Sequence, residues 1–225
     1  MSAPEDFTIY AVPPNEDGVC GISRDLNTDM LKQAYWNGYF PWPCEEETVL
    51  WSCPDPRGIL PLTSLHIPHT LKRDSKKFDR LFELRVDTAF DEVINACAAA
   101  ERPGQDGTWI TQKILRTYKE FHRLGYAHSF EAFDRMTGKL AGGLYGISIG
   151  KIFCGESMFH RISGASKFAF LALINALKKN DVALIDTQMV TPLTQSFGAY
   201  EVPAAEYIKM LRELRGTPLS TEQLK

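Results

Sequence analysis

Apolar positions along the chain fall into a proline-rich start and then alternating helix-period and strand-period segments. Residues 1–27 are mixed and turn-rich, with Pro13, Pro14 and Gly18; Asn27 or Thr28 then caps a helix carrying Met30, Leu31, Ala34 and Tyr35 on one face, which Gly38 ends. Two prolines within 38–43 (GYFPWP) exclude a helix, so an ordered turn or a loop packed through its aromatics is expected there. Residues 51–58 (WSCPDPRG) form a second stiff segment of the same type.

From about Leu65 the texture changes. Residues 81–86 (LFELRV) alternate as a strand, Thr88 caps a helix through Ala89, Val93, Ile94 and Cys97, and a polar loop occupies 101–107. Ile114, Leu115, Tyr118 and Phe121 mark an amphipathic helix ending near Gly125. Residues 128–133 and 140–149 read as consecutive strands joined by a turn at 134–139, and Ile152 begins a third. A small-residue turn at 163–167 enters a helix bearing Phe168, Leu171, Ile174 and Leu177, and 183–186 is a buried strand. Pro203 opens the last helix, Gly216 closes it, and the tail 217–225 is polar and expected to be loose. The order predicts an α+β fold: a mixed sheet flanked by helices.

Composition narrows the function classes. A chain of 225 residues with 44% hydrophobic and 24% charged residues buries a real core, and Lys+Arg 25 against Asp+Glu 28 gives a net charge of −3. A polyanion therefore has to meet a local patch rather than a basic surface. Residues 72–80 supply one, with five basic and two acidic residues; Lys72, Arg73, Lys76 and Lys77 suit a phosphate backbone, and a solvated surface turn is the plain alternative. No apolar run reaches the ~20 residues of a membrane span, and the first residues lack a secretory layout, so a cytoplasmic protein is expected. The five cysteines show no zinc or redox spacing, and His66 and His69 lack a third ligand, so reduced thiols and no metal are expected.

Two carboxylates stand out. Glu156, in 155–159 (GESMF), follows a strand and sits among apolar neighbours, where an unpaired charge is too costly to leave without a partner or a role. Asp186 and Gln188, in 184–188 (LIDTQ), alternate onto one face, which lets the carboxylate hold the amide in one orientation. A structural ion pair competes with function for each. Ser157 lacks a nucleophile elbow, and Gly142, Gly143 and Gly164 form no nucleotide loop, suiting a bulge or a close backbone approach instead. Trp42, Trp51 and Trp109 fall in predicted loops, where aromatic faces stack on bases or pack locally.

In combination, GYFPW (38–42), WSCPDPRGILP (51–61), GTWIT (107–111), LGYAHSFE (124–131), AGGLYG (141–146), FCGESMF (153–159), SGASKFA (163–169) and LIDTQ resemble, in order, the leucyl/phenylalanyl-tRNA–protein transferase family. The resemblance covers about 28–207 and implies a small N-terminal domain, 1–62, before a GNAT-like acyltransferase domain, 63–225, used without coenzyme A or any other cofactor. It implies transfer of a Leu or Phe, with Met as a further donor, from the aminoacyl-tRNA 3′ end to the N-terminal α-amino group of acceptor proteins with Lys or Arg first, marking them for degradation. Acting as a monomer is the expectation. Carried over residue by residue, Asp186, Gln188 and Glu156 are catalytic, and Trp42 and Trp109 hold the terminal adenosine and ester. Leu144, Phe153, Met158, Phe170, Leu177 and Ile185 line the aminoacyl pocket. The chain departs from the family at Ser23, in a glycine-rich segment, at Thr187, at Leu193 in place of a histidine and at Ala204 in place of an arginine. These departures point to altered acceptor or tRNA choice; a non-catalytic binding module and an acyl-CoA-dependent N-acetyltransferase are the rivals, the last disfavoured by the missing pyrophosphate loop.

Overall fold

The computed structural model describes residues 18–45, 48–100 and 108–225; the expectations for Pro13, Pro14 and the 101–107 loop lie outside these. The chain runs β1 (Val19–Ser23), α1 (Thr28–Trp36), β2 (Phe40–Glu45), β3 (Thr48–Ser52), β4 (Arg57–Pro61), α2 (His69–Leu81), β5 (Phe82–Val86), α3 (Phe90–Ala99) and α4 (Gln112–Arg123). It continues with β6 (Ala127–Asp134), β7 (Leu140–Ile149), β8 (Ile152–His160), α5 (Ala165–Lys179), β9 (Leu184–Gln188), α6 (Pro192–Ser196), β10 (Tyr200–Val202), α7 (Ala204–Leu214) and α8 (Thr221–Leu224).

A small antiparallel sheet, β1-β3-β2, precedes a seven-stranded mixed sheet ordered β10-β4-β9-β8-β7-β6-β5. Among the described strands, β8 and β9 are the pair that runs parallel. The expected division after residue 62 falls just beyond β4, which is hydrogen-bonded into the large sheet between β9 and β10. Two apolar clusters flank that sheet. One joins α1, α3, α4 and α7 to the small sheet; the other packs α2, α5 and α8 on the opposite face, and burying the two stripes holds the layers together.

Several local expectations are corrected. Residues 40–45 form a strand, not a loop. β2 lies at the sheet edge, paired with β3 alone, and an edge strand is where a residue that lacks a backbone N–H is tolerated. Trp51 lies on β3, the central strand of the small sheet, and is fully buried, so it is core and not a stacking platform. Thr88 does not cap α3 with its own side chain. Its hydroxyl donates to Glu131, and that buried carboxylate also accepts the Thr88 and Ala89 N–H groups, so the neighbouring strand β6 supplies the cap. The basic run is helical: it occupies α2, where Leu71 and Phe78 are buried and Lys72, Arg73, Lys76 and Lys77 lie exposed.

The tail is not loose. Ser220 and Gln223 form a capping box on α8, Leu219 and Leu224 are buried, and Thr221 donates to Asp87 at 2.5 Å. The glycines behave as expected: a Cβ on Gly142 would lie 2.7 Å from that of Ala165, and Gly164 enters α5 at φ +92° against the ring of Phe78.

Candidate active site

The site grows from a fault in the sheet. β8 pairs with β9 only through Ile152↔Leu184, Phe153↔Ile185 and Cys154↔Asp186, whereas its pairing with β7 runs on to His160. Past Cys154 and Asp186 the two strands part, and both carry an extra residue there. Tyr145↔Ser157 and Gly146↔Gly155 leave Glu156 as the bulged residue of β8, and Gly58↔Gln188 and Ile59↔Asp186 leave Thr187 as that of β9. Bulges re-aim side chains and end pairing, which is what a mouth between two strands requires. Gln188, just after its bulge, takes φ +62°, an uncommon backbone for a residue with a side chain.

Asp186 is completely buried. Arg57 of β4, 1% exposed, grips it with two bonds: Nε donates to Oδ1 at 2.9 Å and Nη2 to Oδ2 at 2.6 Å. The Tyr207 hydroxyl of α7 adds a bond to Oδ2 at 2.7 Å, and the Gln188 backbone N–H donates to Oδ1 at 2.9 Å. The guanidinium is itself held between the rings of Phe40 and Tyr207, 4.9 and 4.5 Å from their centroids, and donates to the Gly38 carbonyl. Burial pushes the Asp186 carboxyl up, but the Arg57 charge and these donors outweigh it and hold the group below its usual range. Asp186 is thus a fixed anion with its lone pairs taken. The expectation that it holds the Gln188 amide is replaced by a backbone contact.

The amide is held by Glu156 instead. Gln188 Nε2 donates to Glu156 Oε1 at 3.1 Å, which leaves the amide oxygen as the acceptor. On the other carboxylate oxygen, the Tyr118 hydroxyl of α4 donates at 3.5 Å, and it sits 2.5 Å from that of Tyr35 on α1. Burial is the largest influence on Glu156. Together with the nearby Asp186 charge it outweighs the tyrosine and Gln188 hydrogen bonds and Arg57, so the carboxyl is pushed up to about 7. One carboxylate locked ionised beside one that titrates near neutrality is an arrangement that separates a structural role from a proton-handling one.

Beside Glu156, between the parted strands and α5, opens a cavity of about 210 Å³. Leu144, Met158, Phe170 and Ile185, four of the residues that the resemblance assigns to an aminoacyl pocket, line this cavity. Phe153 and Leu177 do not: both are fully buried in the apolar cluster behind that wall. Thr187, Thr191 and Leu193 complete the far side, which periodicity did not indicate. Trp42 and Trp109 meet each other, their rings parallel to within 4° with centroids 6.3 Å apart. Trp42 also contacts Phe40 edge-on, and Phe40 underlies Arg57, so packed rings lead from the tryptophan pair to Asp186. The α2 cations lie apart from this cluster; α2 packs on α5, whose Phe170 lines the cavity. Arg57, Tyr207, Tyr35 and Tyr118 are the site residues sequence reasoning missed. Arg57 stood inside the quoted 51–61 block, and nothing local marked its partner 129 positions away.

A family profile described as Leucyl/phenylalanyl-tRNA protein transferase matches residues 59–212, and one for the N-terminal domain of that family matches 24–55. A Tolumonas auensis protein named leucyl/phenylalanyl-tRNA–protein transferase is 43% identical over 215 residues, 93% of this chain and 90% of its own. A Nitratidesulfovibrio vulgaris protein of the same name is 42% identical over 217 residues, 96% and 91%. Among solved structures, the C-terminal domain of a putative lysylphosphatidylglycerol synthetase from Agrobacterium fabrum aligns at TM-score 0.44 and 10% identity, covering 88% of this chain and 73% of that one, too coarse a likeness to carry an argument.

Proposed function

We propose a reaction on the premise that this chain belongs to the leucyl/phenylalanyl-tRNA–protein transferase family. It moves a Leu or Phe from the 3′ end of its aminoacyl-tRNA to the α-amino group at a protein N-terminus, with Lys or Arg as the expected first residue of the acceptor. The observation that carries the catalytic assignment is the Gln188–Glu156 bond, which commits the amide nitrogen and leaves its oxygen to accept from an amine.

The donor is an ester and so already activated. The amine nitrogen attacks the carbonyl carbon, the C–N bond forms, the bond to the ribose oxygen breaks, and a proton passes from nitrogen to that leaving oxygen. Positioning and proton handling suffice, with no covalent enzyme intermediate, metal or cofactor. In this reading Gln188 orients the amine and Asp186 positions Gln188 through its backbone. Glu156, poised near neutrality, shares the proton. The apolar cavity takes the Leu or Phe side chain and rejects a charged one through the cost of desolvating it. Trp42 and Trp109 are assigned to the terminal adenosine. The division into a small N-terminal unit and a GNAT-like one, action as a monomer and a cytoplasmic location belong to the same proposal. No helix among the described residues is long and apolar enough to cross a membrane.

With Glu156 at about 7, its ionisation contributes a limb of turnover that rises with pH through that value, because only the ionised form accepts the proton. The acceptor α-amine titrates at about 7.7–8.0, so the informative comparison is with Glu156→Gln. That variant keeps the limb of the amine alone and turns over more slowly at every pH. An unchanged profile contradicts the role given to Glu156.

The exposed stripe Lys72, Arg73, Lys76 and Lys77 on α2 is assigned to the tRNA backbone. Alanine at each position flattens the dependence of log affinity on log salt by about 0.7–0.9 per lost contact, read by filter binding. An unaltered slope removes α2 from the interface. A second reading, the same chemistry with another acceptor, draws on Leu193, which lines the cavity and stands where the resemblance implies a histidine. A peptide panel differing only in the first residue separates the two: transfer to Lys and Arg supports the family preference, transfer to acidic residues supports the second, and tRNA binding without transfer supports a binding module.

A further inference from the structure

A second cavity, of about 410 Å³, lies against the apolar cluster on the other face of the large sheet from the aminoacyl pocket. Four of its eleven lining residues are aromatic, Tyr35 and Trp36 of α1, Phe121 of α4, and Tyr126; Tyr35 and Phe121 are buried, so Trp36 and Tyr126 present the accessible rings, and the end of β7 and the segment 216–218 close the space. The rings share orientations. Phe121 and Tyr126 stack at 4.7 Å and 7°, and Tyr35 and Phe121 lie 6.4 Å apart at 20°.

Lys32 lines the space, and Arg215 immediately precedes its closing segment 216–218. Lys32 Nζ is 5.3 Å from the Tyr126 ring centre, and the Arg215 guanidinium is 4.8 Å from that of Trp36, which is 39% exposed. No acidic residue is among those lining the space. A ligand complementary to these walls has a flat π-face and a negative charge beside it, which describes a nucleotide whose base is free of a pairing partner.

We propose that this cavity holds one unpaired nucleotide of the tRNA donor, its base against Trp36 and Tyr126 and its phosphate at Lys32 and Arg215. The inference rests on the tRNA donor assigned above. It concerns a nucleotide other than the 3′ adenosine, because Trp109, assigned to that adenosine, precedes α4 whereas Phe121 is near its far end. Phe121 lies nine residues into α4, about 13–14 Å along the axis from its first residue, Gln112, at 1.5 Å per residue. The occupied cavity therefore engages a part of the tRNA that a minimal donor lacks.

The test uses the full chain, Trp36→Ala and Lys32→Ala, both at exposed positions, with thermal unfolding as a check on folding. Tyr35 is left intact because its hydroxyl belongs to the Glu156 cluster. Affinity for uncharged tRNA is read by filter binding, and KM is compared between leucyl-tRNA and the leucyl ester of adenosine monophosphate. Loss of one stacking contact predicts roughly tenfold weaker tRNA binding for Trp36→Ala, and loss of one phosphate contact flattens the salt slope of Lys32→Ala by about 0.7–0.9. KM rises for leucyl-tRNA and not for the minimal donor.

Wild-type tRNA affinity in both variants overturns the proposal, as does an equal rise in KM for both donors. Fluorescence quenching by free adenosine or guanosine monophosphate that Trp36→Ala abolishes and tRNA does not displace assigns the cavity to a mononucleotide and overturns the tRNA source. Because tRNA affinity is measured without turnover, an inactive wild type defeats the proposed function alone. Unaltered affinity in variants of an active enzyme defeats the cavity assignment alone.

Discussion

Asp186→Ala lowers stability by about 3–5 kcal/mol, a fall in Tm of roughly 6–20 °C, together with loss of transfer. The reason lies in the partner it leaves behind. Arg57 is buried between two rings, with both of its bonds to Asp186 gone and only the Gly38 carbonyl remaining as an acceptor. An uncompensated buried guanidinium is far costlier than the pair was worth, since desolvation offsets most of the attraction within a buried ion pair. The paired change Arg57→Met with Asp186→Leu removes both charges and recovers part of the lost stability, while the Gln188 N–H and Tyr207 hydroxyl stay without their acceptor and transfer stays lost. Thermal unfolding of the three proteins decides it. A Tm for Asp186→Ala within 2–3 °C of the wild type, on the same scale, means that Arg57 is not held as described. Loss of activity in that variant alone therefore does not identify Asp186 as the group that meets the substrate; its assigned role is positioning.

Gln188→Met is the cleaner probe of chemistry. Methionine keeps the length of the side chain while removing both the oxygen offered to the amine and the nitrogen that holds Glu156. The charges of Arg57 and Asp186 remain paired, and the backbone N–H that Asp186 accepts is retained. The expected result is a fall in kcat of about 10²–10⁴, the usual range for a positioned acid–base group, with KM for the tRNA little changed. The Glu156 carboxyl, deprived of a donor that lowers it, moves further up, so the acid limb of any residual activity shifts to higher pH. Turnover within about threefold of the wild type contradicts the role assigned to the amide.

The elements that sequence made legible are those whose signal is local. The hairpin β6–β7 carries its turn and its alternation within 23 residues, and α5 shows its apolar stripe directly. β2 was hidden because proline reads as a breaker until the strand is known to lie at an edge, which only the sheet order supplies. α8 was hidden because its few apolar residues have meaning only against the core they complete. At the site, 153–159 and 184–188 gave the residue types, but the bulges at Glu156 and Thr187 are properties of pairing and leave no mark in either strand alone. Arg57 and Tyr207 reach Asp186 from separate elements, so the residues that decide its ionisation were the least visible. Phe153 and Leu177 show the converse: apolar residues in the right segments are buried behind the cavity wall.

The central claim is that the parted strands β8 and β9 frame a site that joins an aminoacyl group to a free α-amine. The most direct measurement incubates the wild-type protein with leucyl-tRNA and two peptides that begin with arginine, one with a free N-terminus and one acetylated, and follows both by mass spectrometry. The account predicts addition of one leucine to the free peptide at its N-terminus and none to the acetylated one. Leucine on both peptides, or on neither while the tRNA stays charged, would contradict it.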